Sequence, residues 1–305
     1  MNRLKTLIIA LLVVALTTGY FDSSAKEVSI GSQARSGDPG KAWECGWPMY
    51  FTSPPLKATF AGDTAGKGLV GVLELRNYII KEGARDRFIS FFEANLVKPQ
   101  IDAHALMLGQ YRVKGSEDNF FWVRAFGNMK ERSSFLHSFY YGALWKQFRQ
   151  TANSMLANND NVHLLRPMEW RGDTIVGVAG LNKRQLVPKQ GIAVVEFYTA
   201  NQKLPLLLGL FSKNYLPLLK KAGVNDFTLW TSVREENDFP QLPVFQDKNL
   251  LVTITFFKDE LAFIETIKKV SSNMPEEVKA ALRDAITIKE TMILYPTERS
   301  NEFNK

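Results

Sequence analysis

Only one cysteine, Cys45, occurs in the 305 residues. No disulfide can therefore close within the chain, and the fold must rest on its apolar core. Histidine is almost as scarce. His104, His137 and His163 are far apart, and no two stand at a metal-ligand spacing such as H-x-x-x-H. Glycine-rich phosphate loops, dinucleotide fingerprints and the G-x-S-x-G nucleophile elbow are absent, so the sequence gives no sign of nucleotide binding or serine hydrolysis. No five like charges stand in a row, and 38 basic and 31 acidic residues are interspersed for a net charge of +7. A nucleic-acid binder clusters its positive charge in a stripe, so nucleic acid is not an expected partner. Long apolar runs are missing too. The one that stands out covers 7–16, ten residues against the roughly 20 that span a bilayer.

That run has a context. Arg3 and Lys5 precede it, and Ser23 and Ala25 follow in a small-x-small pattern, so residues 1–25 read as a secretory signal peptide. Export to the periplasm or the medium is expected, with an uncleaved anchor as the alternative. Cleavage after Ala25 removes Arg3, Lys5 and Asp22 and leaves a net charge of +6.

With 45% hydrophobic and 23% charged residues, the remainder can bury a core. Residues 26–70 are rich in turn chemistry, "IGSQARSGDPGK" and "TSPPLK", and read as an irregular arm carrying Trp43 and Trp47. From 71 to 167 the pattern is regular. Alternation makes Leu69 to Ile80 a strand, and Phe88, Phe91, Phe92 and Leu96 form one helical stripe. Leu106 to Val113 and Asp118 to Phe126 alternate as strands. Asn128 and Glu131 form a capping box before a helix, "ALWKQFRQTANSML" continues as helix, and Asn161 to Pro167 is the closing strand. This β-α-β-β-α-β order is the ferredoxin-like motif. After a linker at 168–189 it recurs over 190–297, with Asp259 as a helix cap, and a tail fills 298–305. The expected fold class is α+β, two tandem ferredoxin-like units forming a pseudo-dimeric α/β barrel.

One such unit leaves a sheet face bare. Two units can press these faces together around a barrel interior. In "VLELRNY" one face carries Leu73 and Leu75 and the other Glu74, Arg76 and Tyr78. In "FFWVRAF" the second face carries Trp122 and Arg124. The expectation is that Leu73, Leu75, Asn77, Phe121, Val123 and Ala125 lie under the helices. Glu74, Arg76, Tyr78, Trp122 and Arg124, with Glu196 and Tyr198 of the second repeat, then line the cavity. Glu74 is aligned with Glu196, and Val252 and Ile254 are placed where the first repeat has Trp122 and Arg124. Positive charge with aromatic walls suits a small anionic or planar ligand, and Glu74 with Tyr78 could form an acid–base pair. The alternative is a ladder of paired charges that sets the register of the repeats.

"VLELRNYIIKEGARDRFISFFEANLVKPQI", "FFWVRAF", "YYGALWKQFRQTANSML" and "HLLRP" together resemble the NIPSNAP family, of the dimeric α/β-barrel group. The resemblance covers Val72 to Pro167 well and Gln190 to Pro296 loosely. It implies a fold more than an activity. Glu74, Arg76, Trp122, Arg124 and Trp145 are carried over as family-pattern residues. Related barrels include cofactor-independent monooxygenases and haem-handling enzymes, and no cofactor is evident from the residues. Haem-degrading relatives use an asparagine, a tryptophan and a histidine, a set that Asn77 does not complete if it faces the helices. Three functions are open: a small-molecule binder, an oxygen-using or haem-handling enzyme, and a structural or interaction module. No stable membrane span is expected after cleavage, and the barrel could close within one chain or between chains.

Overall fold

The computed structural model describes residues 69–183, 186 and 191–302, all within one compact unit, Ala65–Lys305. The leader at 1–25, the arm with Trp43, Cys45 and Trp47, and the tail beyond residue 302 lie outside the described residues.

The first repeat contains β1 (Leu69–Val70), β2 (Val72–Ile80), α1 (Arg85–Asn95), α2 (Val97–Asp102), β3 (Leu106–Val113), β4 (Asn119–Phe126), α3 (Met129–Tyr140), α4 (Ala143–Met155), β5 (Leu156–Asn158) and β6 (Val162–Arg171). Two short strands follow, β7 (Thr174–Gly177), which pairs back on β6, and β8 (Leu181–Asn182), which pairs with β1. The second repeat contains β9 (Ile192–Ala200), α5 (Leu204–Leu210), α6 (Leu216–Lys221), β10 (Phe227–Ser232), β11 (Leu250–Phe257), α7 (Glu260–Asn273), α8 (Glu276–Ala285) and β12 (Ile286–Pro296). Both expected caps form. Asn128 Oδ1 accepts from Glu131 N at 2.9 Å, and Asp259 Oδ1 from Ala262 N at 2.8 Å, each using a donor that the first turn leaves free. A π-helical turn, Phe211–Tyr215, joins α5 to α6 just before Pro217, whose ring and missing N–H disrupt a regular helix.

Each repeat orders its four long strands as the motif requires, β6-β2-β4-β3 and β12-β9-β11-β10. The two sheets join through β3 with β12, where Val113 faces Leu294, and through β10 with β6, where Leu229 faces Met168. Both joints are antiparallel, and β2 also pairs with β6. The eight strands therefore close into a ring inside one chain. Closure removes the sheet edges that would otherwise be open to other chains.

The facing of the strands is the reverse of the sequence expectation. Leu73, Leu75, Phe121, Val123 and Ala125 pack in the lumen with Val195, Phe197, Val252, Ile254 and Leu294. Tyr78, Phe120, Trp122 and Phe126 pack outward against Phe88 and Phe92 of α1 and Phe135 and Phe139 of α3. A period of two says which residues share a face but not which face is inside. Volume decides it. The lumen of an eight-stranded barrel holds little more than its own aliphatic side chains, and only about 20 Å³ remains among Leu73, Leu108, Phe121, Val195 and Ile254. That is room for about one water. The large rings and the arginines go to the layer between sheet and helices.

Gly191 opens β9 at φ 87°, a region that side chains avoid, and a Cβ there would collide with the carbonyl of Phe257. Gly191→Ala should lower stability by about 1–3 kcal/mol. Urea unfolding measures this, and an unchanged midpoint would contradict the close approach.

Candidate functional site

β2 and β9 are nine residues each and pair in the same register with β4 and β11. Val72 faces Phe126 on β4, and Ile192 faces Phe257 on β11. Stepping along the strands puts Val194 at the place of Glu74, Glu196 at that of Arg76, and Tyr198 at that of Tyr78. Thr253 and Thr255 stand where the first repeat has Trp122 and Arg124. The expected pairing of Glu74 with Glu196 is thus two residues out, and Val252 and Ile254 belong to the lumen. The charged cluster of the first repeat has no copy in the second.

In the first repeat the helix-covered face gathers four ionised groups. Glu74, Arg76, Arg124 and Arg132 are each 1% exposed or less. Glu74 Oε2 accepts from Arg76 Nη1 at 2.7 Å and from Arg124 Nε at 2.5 Å. Glu74 Oε1 accepts from Arg132 Nε at 2.6 Å. Arg76 Nε donates to the Tyr78 hydroxyl at 3.0 Å, and Arg124 Nη1 to Gln100 Oε1 of α2 at 3.0 Å. Aromatic rings enclose the guanidiniums. Arg124 lies 5.4 Å from the centre of Trp122 and 4.9 Å from Phe135, and Arg76 lies 5.2 Å from Trp122.

The elements explain the convergence. Glu74 faces Arg124 across the β2–β4 ladder and Arg76 faces Trp122, so strand register alone unites these four. Arg132 comes from the first turn of α3, which the Asn128–Glu131 box fixes directly after β4. Sequence reasoning missed Arg132. Its signal was present, because Arg132, Phe135, Leu136 and Phe139 share one helical stripe and an arginine on an apolar stripe must be buried. Gln100 and the strap described below were missed as well.

Burial pushes the Glu74 carboxyl up, but Arg124, Arg76 and Arg132 outweigh it and hold Glu74 well below the usual carboxylate range. Glu74 is therefore a fixed anion with no useful strength as a base near neutral pH. Burial raises the Tyr78 phenol. The expected Glu74–Tyr78 acid–base pair is not supported by this geometry. Glu74 is a counter-ion, and Tyr78 accepts from Arg76.

Three guanidiniums meet Glu74, and Arg132 also stands 3.5 Å from Asp238 Oδ1, so the cluster sets three positive charges against two carboxylates. Three of its buried donors, Arg124 Nη2, Arg132 Nη2 and Trp122 Nε1, have no hydrogen-bond partner. The fully buried side-chain amide of Gln110, opposite Trp122 on β3, also has no partner at either atom. Buried charge and buried donors are normally matched, and here donors outnumber acceptors.

The second repeat has a different, neutral arrangement. Glu196 Oε1 accepts from Lys289 Nζ at 3.0 Å and from Thr291 Oγ1 at 3.4 Å. Lys289 lies 5.3 Å from the centre of the Tyr198 ring. Burial, then the nearby Glu196 carboxylate, raises the phenols of Tyr198 and Tyr215. Tyr198 and Glu196 lie beneath α5 and the π-helical turn, where Tyr198 packs 4.9 Å from Phe211, so neither lines the barrel lumen.

None of the histidines stands at the arginine cluster. His104 and His137 are exposed. Asn77 belongs to the lumen face, contrary to expectation, with its Oδ1 accepting from Asn119 at 2.9 Å. His163 is on the lumen face as well, 4.7 Å from Phe197 and 5.2 Å from Phe245. The small void among Leu73, Phe121, Val195 and Ile254, about 20 Å³, cannot hold a haem. Trp145 packs on Phe139 and Tyr140 at 5.9 and 5.1 Å, as a core residue does. Among the described residues no helix is long and apolar enough to cross a membrane, and no cluster of acidic, histidine or cysteine side chains could hold a metal ion.

Two outcomes follow. Glu74→Gln leaves Arg76 and Arg124 without a counter-ion and Arg132 with Asp238 alone, and should cost about 3–5 kcal/mol in urea unfolding. A loss below about 1 kcal/mol would contradict the ion-pair geometry. Burial also pushes His163 down to about 4, against the opposing pull of Asp247. An unfolded histidine binds its proton near pH 6.5, so below that pH the unfolded chain holds the extra proton. Stability should therefore fall as pH drops from about 6.5 to about 4. His163→Gln should flatten that limb, and an unchanged slope would refute the assignment.

No protein-family model and no curated protein matches the chain. Among solved structures it is similar to an uncharacterized NIPSNAP domain protein from Burkholderia xenovorans, with 16% identity over 33% of this chain and 99% of the other, at a TM-score of 0.30. That span is about the length of one repeat. It is also similar to a heme-binding protein from Thermus thermophilus, with 13% identity over 77% of this chain and 94% of the other, TM-score 0.42. A chlorite dismutase from Candidatus Nitrospira defluvii shows 13% identity over 77% of this chain and 96% of the other, TM-score 0.44.

Proposed function

We propose that the protein binds a small planar anion, an aromatic carboxylate or a similar oxyanion, between the sheet and the helices of its first repeat. The observation that carries this reading is the charge excess around Glu74, with the unpartnered N–H groups of Arg124, Arg132 and Trp122. An oxyanion supplies what these donors lack, and charge-assisted pairs with guanidinium are the strong ones. The rings of Trp122, Phe126, Phe135 and Tyr140 around Arg124 suit a flat partner. The NIPSNAP-like motifs "WVRAF" and "VLELRNY" are the segments that supply Glu74, Arg76, Trp122 and Arg124, so the resemblance and the site coincide.

Binding alone accounts for the arrangement, and no group in it is poised to move a proton at neutral pH. The same donors could stabilise an oxyanion formed during turnover. The leader-like segment at 1–25 supports a place outside the cytoplasm, and intact mass of the protein recovered from the periplasm or medium should give a chain beginning at Lys26.

The binding reading is tested by calorimetry and melting temperature with 2-naphthoate, and with 2-naphthalenemethanol as a neutral isostere. The acid should raise the melting temperature and the alcohol should not. Arg124→Met and Arg132→Met should each weaken binding by tenfold or more, since a charge-assisted hydrogen bond is worth about 1.5–3 kcal/mol. Equal responses to acid and alcohol, or full affinity in both variants, would refute it. A cluster that only holds the repeats together predicts no response to either compound.

A further inference from the structure

The donors of the cluster are dry, so a ligand needs a way in, and the second repeat covers that way. Residues 233–249, between β10 and β11, do not stay on their own repeat. Val233 N donates to Leu164 O at 2.9 Å and Phe245 N to Val162 O at 2.7 Å, which ties both ends of the segment to β6. Between these ties the chain crosses α3. Phe239 and Leu242 are buried in the aromatic layer of the first repeat, with Phe239 5.2 Å from His137 and 6.0 Å from Tyr140.

The segment also reaches the cluster. Asn237 Oδ1 accepts from Arg132 Nη1 at 3.0 Å, and its Nδ2 donates to Leu242 O at 2.9 Å. Asp238 Oδ1 stands 3.5 Å from the same Arg132 Nη1, and its side chain is 44% exposed. Arg132 is fully buried, with Nε on Glu74 and Nη2 unpartnered. Asp238 is thus the one carboxylate of the cluster that touches solvent, and it meets the end of the guanidinium that could hold an oxyanion with two bonds.

We infer that Asp238 is a tethered stand-in for the ligand's anionic group. The incoming oxyanion displaces it from Arg132 at the edge of the strap, where the Asp238 side chain meets solvent. This rests on the proposed anion binding at the same cluster. The chemistry of exchange is carboxylate for carboxylate at one guanidinium, so the strap need not unfold. The rotamer of Asp238 changes, and Asn237 gives up its bond to Nη1. A half-exposed pair at this distance is weak, which a displaceable group requires.

The test is titration of 2-naphthoate into the full chain carrying Asp238→Ala, Asp238→Asn or Asp238→Glu. Without the competing carboxylate, the Ala and Asn variants should bind about two- to fivefold tighter than the parent, and Glu should restore parental affinity. Glu235→Gln, on the same strap, should change nothing. Equal or weaker binding in Asp238→Ala and Asp238→Asn, with the parent still binding, overturns the stand-in role and leaves the anion site intact. Absence of binding in the parent and all variants overturns both. If Asp238→Ala disorders the strap, Asp238→Asn keeps its shape without the charge, and its affinity decides the question.

Discussion

Glu74 sits fully buried on β2 and accepts hydrogen bonds from three guanidiniums, one on its own strand, one on the neighbouring strand and one on the helix that follows. The packing of the first repeat depends on this carboxylate. Each arginine would be prohibitively costly to bury alone, and Glu74, with Asp238 at the outer end of Arg132, makes burial of all three tolerable. It does so incompletely. The surplus of positive charge, with donors left unmatched, sets the cluster apart from a balanced structural tie.

The rest of the fold explains why the cluster is where it is. An eight-stranded ring leaves a lumen that aliphatic side chains fill, so tryptophans and arginines on the first repeat are driven outward under the helices. The aromatic stripes of α1 and α3 then provide a low-dielectric layer, in which cation–π contacts soften the cost of the guanidiniums. The second repeat supplies the other half of the ring. The second repeat has Val194, Glu196, Thr253 and Thr255 at the places of the cluster residues. It also contributes the strap that covers the first repeat's site. The repeats have divided labour, one carrying the charge excess and the other closing the barrel and covering the cluster.

Much of this was legible in the residues. The strand and helix order, the Asn128 and Asp259 caps, the duplication and the grouping of Glu74, Arg76, Tyr78, Trp122 and Arg124 on one face follow from periodicity and capping chemistry. Which way that face points does not. A strand buried on both sides, as β2 is, gives the same alternation either way, and only the volume of a closed ring breaks the tie. The two-residue error in aligning Glu74 with Glu196 has a similar source: Tyr198 was matched to Tyr78 as well, yet Tyr78 stands four residues after Glu74 and Tyr198 two after Glu196, so only the tyrosines share the register. Arg132 was readable from its helical stripe. Asn237 and Asp238 were not, because their contact with the cluster crosses from one repeat to the other through an irregular loop, where no period exists.

The central claim is that the surplus charge under the first repeat's helices is a seat for an anion. Crystals of the protein soaked in 4-bromobenzoate test it directly, by anomalous scattering at the bromine edge. The account predicts a bromine peak within the aromatic layer around Trp122 and Phe135, with the carboxylate on the Nη1–Nη2 end of Arg132, in the place of Asp238, and on Arg124 Nη2. Bromine confined to the surface or the lumen, with both guanidinium ends bonded to protein acceptors, would contradict it.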